Sequence, residues 1–274
     1  MVLNSSVTLS NGVEMPWLGL GVFRTNEGAE VERAVACALE TGYRSIDTAT
    51  LYENETGVGN AVKTSGIARE KIFLTTKIWN AHQGYQSTFR AFEKSLEKLQ
   101  TPYVDLYLIH WPKGELSIQT WRAMEELYEK GLVRAIGVSN FHIHHLEHLM
   151  KHARIQPMVN QYEFHPRLQQ PQLLDFCLSH HIRPEAWRPI MEGQVNEIPL
   201  MQELAEKYGK SPVQLALRWD IQKGVVTIPK SVNPERIIHN AQIFDFEISD
   251  EHMRLIDQLD QHMRMGADPD HFDF

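Results

Sequence analysis

Cysteine is scarce in this chain: Cys37 and Cys177 are the only two in 274 residues. A disulfide framework is therefore excluded as the organising principle, and both lie in apolar helical stretches that suit small buried side chains. Nor is there an excess of positive charge. With 27 basic and 35 acidic side chains the net charge is −8, and no basic stripe offers itself to nucleic acid. No apolar run approaches the ~18 residues of a membrane span. Residues 1–6 lack the basic start and apolar core of a secretory leader. The expectation is a cytoplasmic protein, monomeric, with neither a membrane nor a nucleic-acid partner. Two motifs are also missing. Gly19-Leu20-Gly21-Val22-Phe23-Arg24 fails the third glycine of a dinucleotide fingerprint. The histidine-rich run 141–148 is not His-Glu-x-x-His and has no other acidic or thiol ligand group evident nearby. His144, His148 and His152 are thus read as structural or surface residues, and no metal is expected.

What is present is an alternation of strand and helix signals. A hairpin comes first, with Val7-Thr8-Leu9 and Val13-Glu14-Met15 joined at Asn11-Gly12. It is placed as a plug at the amino end of the domain. Strands are expected at 17–21, 44–47, 72–76, 104–109, 133–137, 158–161, 183–187 and 225–228. Helices fall between them, among others at 28–41, 84–99, 118–130 and 201–208. In one of these, Ala91, Ser95, Leu96 and Leu99 form an apolar stripe opposite Glu93, Lys94, Glu97 and Lys98. Eight strands separated by helix-length segments favour a (β/α)₈ TIM barrel over an open doubly wound sheet, which the pattern alone leaves possible. The length is close to the roughly 250 residues of one such domain, so residues 1–274 are taken as a single barrel ending in a short C-terminal tail, 266–274, that either folds over the barrel mouth or is mobile. Pro184 is an oddity inside the seventh barrel strand, where its missing N–H implies a later start or a bend.

Four polar residues follow strand ends: Asp47, Tyr52, Lys77 and His110. In a parallel barrel the carboxyl ends of the strands open on one face, so these four meet in one pocket. Each alone has a plainer reading, as a turn cap, a surface tyrosine, a snorkelling lysine or a core histidine. Together their roles fit. A lysine cation beside a tyrosine favours the phenolate, an aspartate keeps the lysine charged, and a histidine orients an incoming oxygen. Such a group donates a proton to an oxygen that is gaining charge, but it holds no hydride source. Further along, the amides of Ser139-Asn140 and Gln161 suit a carboxamide such as that of nicotinamide. Trp187 can stack on a flat ring, and Lys230, Ser231 and Arg236 suit a phosphate monoester at a helix start. The alternative for Lys230 and Arg236 is a solvated charged loop.

Several segments resemble aldo-keto reductase signatures: Gly42-Tyr43-Arg44-Ser45-Ile46-Asp47-Thr48-Ala49 with Tyr52 after it, Thr76-Lys77, and Tyr107-Leu108-Ile109-His110-Trp111-Pro112. Gly137-Val138-Ser139-Asn140-Phe141, Asn160-Gln161 and Ile228-Pro229-Lys230-Ser231 continue the likeness in the right order, from about Val7 to Gly266. The branch it is most similar to is the bacterial type, with 2,5-diketo-gluconate and glyoxal or methylglyoxal reductases. That resemblance implies reduction of an aldehyde or ketone by NADPH, with Tyr52 as general acid tuned by Lys77 and Asp47, and His110 orienting the substrate. It implies that Ser139, Asn140 and Gln161 hold the nicotinamide amide, that Trp187 stacks on its ring, and that Lys230, Ser231 and Arg236 read the 2′-phosphate. A non-catalytic NADPH-binding sensor or regulatory subunit on the same scaffold is the competing reading.

The chain departs from the pattern in places. Arg188-Pro189-Ile190 replaces Ser-Pro-Leu, so Arg188 either clamps the cofactor diphosphate, crowds the pocket or swings into solvent. His239 stands where a glutamate often precedes the asparagine, here Asn240, near the adenine. Segment 192–198 has no assigned role. The short loop 112–117 and compact end suggest a shallow mouth for glyoxals, short aldehydes, keto acids or sugars, walled by Phe23, Trp79 and Trp111.

Overall fold

Strands buried on both faces need helices outside and each other inside, and here that requirement closes the sheet on itself. The computed structural model describes residues 1–272, so Asp273 and Phe274 of the expected tail lie outside the described residues. An antiparallel hairpin, β1 (Ser6–Thr8) and β2 (Glu14–Pro16), comes first. Eight parallel strands follow: β3 (Leu20–Gly21), β4 (Ser45–Asp47), β5 (Phe73–Ile78), β6 (Val104–Ile109), β7 (Val133–Ser139), β8 (Val159–Glu163), β9 (Arg183–Trp187) and β10 (Val226–Thr227). The helices among the described residues are α1 (Ala29–Thr41), α2 (Glu55–Thr64), α3 (Tyr85–Leu99), α4 (Glu115–Glu129) and α5 (Ile143–Met150). They continue with α6 (Pro171–Ser179), α7 (Pro199–Tyr208), α8 (Pro212–Gln222), α9 (Pro234–Asn240) and α10 (Asp250–Asp257).

Each strand from β3 to β10 pairs with the next in sequence, and the two ends then meet. Gly19 N–H donates to the Thr227 carbonyl at 3.0 Å, Thr227 N–H to the Trp17 carbonyl at 3.0 Å, and Gly21 bridges Lys230. The barrel is closed, and the open sheet is excluded. Gly21 is required at this seam, because a Cβ there would lie 2.9 Å from the Ile228 carbonyl oxygen. All six residues of β6 are buried, as expected of a strand whose inner face fills the barrel and whose outer face lies under helices. In α3, Ala91, Ser95 and Leu99 are buried and Glu93, Lys94, Glu97 and Lys98 are exposed, matching the expected stripe. Asn11 Nδ2 donates to the Arg134 carbonyl at 2.9 Å, at the start of β7, so the hairpin covers the amino end of the barrel.

Some details differ from the sequence expectation. Strands β5 and β7 run two residues further, so Lys77 is the next-to-last residue of its strand rather than a residue beyond it. Helix α4 starts at Glu115, three residues early. Cys37 is only half-buried, because it lies on the flank of α1, whereas Cys177 is fully buried; both are free thiols. Pro184 sits within β9 without a bend to the strand pairing, opposite Asn160. The reason lies in the alternation of the ladder. Arg183 N–H donates toward β8 and the Ala186 carbonyl accepts from β10, so residue 184 faces β10. Strand β10 begins only opposite Glu185, and the Gly224 carbonyl below it is satisfied by Arg183 Nη1 at 2.9 Å. The missing N–H therefore has no partner to lose.

Candidate active site

The carboxyl ends of the strands enclose a cavity of about 1140 Å³. At its floor, the four strand-end residues meet. Lys77 is fully buried, and its Nζ donates to Asp47 Oδ1 at 2.5 Å, to the Thr48 carbonyl at 3.0 Å and to Tyr52 Oη at 3.2 Å. Tyr52 stands on the single helical turn after β4, which turns its ring back toward Lys77. The His110 ring follows β6 and lies edge-on to Tyr52, with centroids 5.6 Å apart. Trp79 braces the other side of His110 at 5.3 Å, and Phe23 packs on Tyr52 at 4.9 Å. The four residues, up to 63 positions apart in sequence, thus share one dry corner, as the barrel topology requires.

Burial governs how these groups hold protons. It pushes the Tyr52 phenol above its ordinary value, more than the Lys77 cation pulls it down, and Asp47 adds to the rise. From the sequence only the lysine could be weighed; in the folded chain desolvation wins, and Tyr52 keeps its proton at neutral pH. Burial also works against the Lys77 ammonium, but Asp47 and Tyr52 together outweigh it and hold the lysine charged. His110 is pushed well below the usual imidazole range, first by burial and then by Lys77, so it is neutral; its Nδ1 is buried without a partner.

The other expected residues line the same cavity. Gln161 is central. Its Nε2 donates both to Asp47 Oδ2 and to Glu185 Oε2, each at 2.8 Å, which leaves its Oε1 as the acceptor on offer. Ser139 Oγ donates to the Gln161 carbonyl at 2.8 Å and accepts from Asn140 Nδ2 at 3.1 Å. Asn140 Nδ2 also donates to the His110 carbonyl at 3.0 Å, and Asn140 Oδ1 accepts from Trp187 Nε1 at 2.8 Å. Both ends of the Asn140 amide are thus engaged by the protein. Arg188 does not swing into solvent. Its side chain is 18% exposed and paired with Glu192 at 3.0 Å, and its guanidinium stands 5.4 Å from the Trp187 ring, with Nη1 buried and without a partner. Lys230 and Arg236 are exposed on the wall. Ser231 Oγ accepts from Asn233 N–H at 3.1 Å, and Asn240 is buried beside exposed His239.

Three features were missed from the sequence. Glu185 is fully buried on β9, and its carboxyl is pushed up to about 8, first by burial and then by Asp47. A lone acid in an apolar strand was the available signal. Glu192, in the unassigned segment, lies between Arg188 and Arg24, the latter at 3.6 Å, and so joins two loops across the cavity. The mouth is also less open than expected. Phe272 stacks on Trp111 with centroids 3.9 Å apart and planes 8° from parallel, because the tail folds back over the barrel.

Comparisons with known proteins identify the family of this chain and the fold it shares. A family model described as the Aldo/keto reductase family matches residues 17–261. The chain is similar to a glyoxal reductase of Bacillus subtilis (strain 168), 57% identical over 268 residues that cover 98% of this chain and 97% of that protein. Among solved structures it is similar to MGS-M4, an aldo-keto reductase enzyme from a Medee basin deep-sea metagenome library. The TM-score is 0.96 and the identity 46%, covering 98% of this chain and all of that one. A mutant of Gox0644 in complex with NADPH gives a TM-score of 0.94 at 43% identity, covering 99% of each chain.

Proposed function

The chain belongs to the aldo/keto reductase family, and from that premise we propose that it reduces small aldehydes and ketones with NADPH, Tyr52 supplying the proton. The observation that carries this reading is the contact of Lys77 Nζ with both Asp47 and Tyr52 at the floor of the cavity. Residues 1–274 are read as one barrel domain acting as a monomer in the cytoplasm.

The cavity fits the cofactor. Arg188 brings a buried guanidinium N–H that has no protein partner, and Lys230 and Arg236 bring two exposed cations to the wall of an otherwise acidic protein. Arg188 would meet the diphosphate, with Glu192 and Arg24 joining the loops over it. Lys230, Ser231 and Arg236 would meet the 2′-phosphate, and Asn240 the adenine end. Gln161 Oε1 and Ser139 Oγ would accept from the nicotinamide carboxamide, while Asn140 sets Ser139 and the Trp187 ring in place. When bound, the nicotinamide supplies the hydride to the carbonyl carbon.

The chain's own residues do the rest. The neutral His110 ring orients the carbonyl oxygen toward Tyr52. As negative charge builds on that oxygen, Tyr52 Oη gives up its proton, and the alcohol forms. Lys77 then stabilises the phenolate that remains, and Asp47 keeps Lys77 charged throughout. Solvent returns the proton to Tyr52. Phe23, Trp79 and Trp111 wall the corner with apolar surface around a small polar focus, which suits glyoxals, short aldehydes, keto acids or sugars. The similarity to proteins named as glyoxal and methylglyoxal reductases supports the same class.

The test is NADPH oxidation with methylglyoxal and a panel of small aldehydes, beside Tyr52→Phe. Turnover in the parent should fall by about 10² to 10⁴ in the variant, the usual range for a general acid, with NADPH binding retained. A parent that binds NADPH but turns over no carbonyl would sink the reading.

A further inference from the structure

The run of histidines after β7 meets a carboxylate that the fold brings from more than a hundred residues away. Asp270 in the tail sits among three imidazoles: His142 Nδ1 at 3.0 Å, His144 Nε2 at 3.2 Å and His145 Nε2 at 3.7 Å. The second ring nitrogens decide what this cluster is. His145 Nδ1 accepts the His142 N–H at 3.2 Å, so a neutral His145 carries its proton on Nε2, toward Asp270. His142 Nε2 faces the Arg264 guanidinium at 3.4 Å, so His142 carries its proton on Nδ1, again toward Asp270. Burial, then His144, holds His145 down at about 4, in keeping with a neutral ring beside the carboxylate, while His142 makes the hydrogen bond to Asp270. A metal ligand has the opposite need, since its second nitrogen must donate to an acceptor. The cluster is built to hold a carboxylate.

The tail it holds leads to the substrate end. Glu163 accepts the N–H groups of Met265 at 2.8 Å and of Gly266 at 3.0 Å. Gly266 crosses so close to Trp187 that a Cβ would lie 2.5 Å from the ring. A turn follows in which Asp270 N–H donates to Asp268 Oδ1 at 3.0 Å, and two residues later Phe272 lies flat on Trp111 and edge-on to Trp79 at 6.5 Å. Trp79 in turn braces His110.

We propose that Asp270 is a positioning residue for the carbonyl substrate: anchored by the His142 hydrogen bond, with His144 and His145 packed beside it, it holds Phe272 as a wall over the catalytic corner. The proposal rests on the carbonyl-reductase reading of the cavity. It separates this chain's pocket from one bounded by barrel loops alone, because the wall is removable by breaking an anchor that touches neither cofactor nor substrate.

Steady-state kinetics with methylglyoxal on the parent, Asp270→Asn, Phe272→Ala and the double variant test it. Each single change should raise KM by about five- to tenfold, the scale of one ordinary hydrogen bond, with kcat within about twofold. The double variant should be no worse than the poorer single one, because Asp270 acts through Phe272. Chymotrypsin cleavage at Phe272, which needs no turnover, should be about tenfold faster in Asp270→Asn. An unchanged KM and cleavage rate in Asp270→Asn, or additive effects in the double variant, would overturn the proposal. So would a parent whose KM shifts with EDTA, which would assign the cluster to a metal. A parent inert toward every carbonyl refutes the reductase reading alone, and the cleavage rates then decide on the anchor.

Discussion

Replacing Glu185 with glutamine isolates the effect of one buried proton. Glu185 Oε2 shares the Gln161 amide with Asp47, while its Oε1 is buried without a partner. Burial and then the Asp47 charge raise its carboxyl from 4.5 to about 8. The unfolded chain ionises this group near the lower value and the folded chain near the higher, so between them the folded state holds the extra proton. Its contribution to stability is therefore complete below about pH 4.5 and is lost as pH rises through 8. Each pH unit in that window costs about 1.4 kcal/mol. From pH 5 to pH 8 the loss is on the order of 4 kcal/mol, a ceiling because Asp47 shares the titration. Glutamine cannot ionise, and it keeps an oxygen for Gln161. Urea unfolding at about pH 5, 6.5 and 8 should show the parent losing roughly 2 to 4 kcal/mol relative to Glu185→Gln. Ionised Glu185 also raises Tyr52, so carbonyl reduction by the parent should weaken above about pH 8 while the variant holds. Stability curves that stay parallel across this range would refute the reasoning.

Three other substitutions probe the site. Lys77→Met leaves Asp47 buried without a cation, so unfolding should become easier by about 3 to 5 kcal/mol, and kcat/KM should fall by about a hundredfold or more; a stable, active variant would break the assigned linkage. Arg236→Ala should narrow the preference for NADPH over NADH, read as the ratio of kcat/KM values, and an unchanged ratio removes Arg236 from the 2′-phosphate site. Arg188→Ser should weaken NADPH binding by about tenfold and flatten its salt dependence. Dissociation constants that match the parent across a salt series would remove Arg188 from the diphosphate.

Much of this was legible in the sequence, for specific reasons. A strand buried on both faces is mostly apolar, so β6 could be bounded to the residue despite Asp105, whose buried charge is paired with Arg69 and Arg134. That apolar character is why Asp47, Tyr52, Lys77 and His110, at or near strand ends, stood out together in the sequence though each alone had a plainer reading. Helix α3 announced itself by the spacing of Ala91, Ser95 and Leu99. The absence of a third glycine after Gly21 correctly set aside the open dinucleotide fold.

Other properties depend on distances that no local pattern carries. Whether the sheet closes is decided where Gly19 and Gly21 meet Thr227 and Lys230, two hundred residues on. The balance at Tyr52 turned on how dry the corner is, and burial there outweighs a lysine that the sequence could name. Glu185 looked like one acid among many until β9 placed it against the amide that also holds Asp47. Nothing local tied the histidines to Asp270 until the tail crossed the barrel and brought Phe272 onto Trp111 with it. Composition and periodicity determined which residues must be inside and which strands end in chemistry. Only the closed barrel decided which of those residues touch, because proton affinity and pocket shape both depend on neighbours that are remote in the chain.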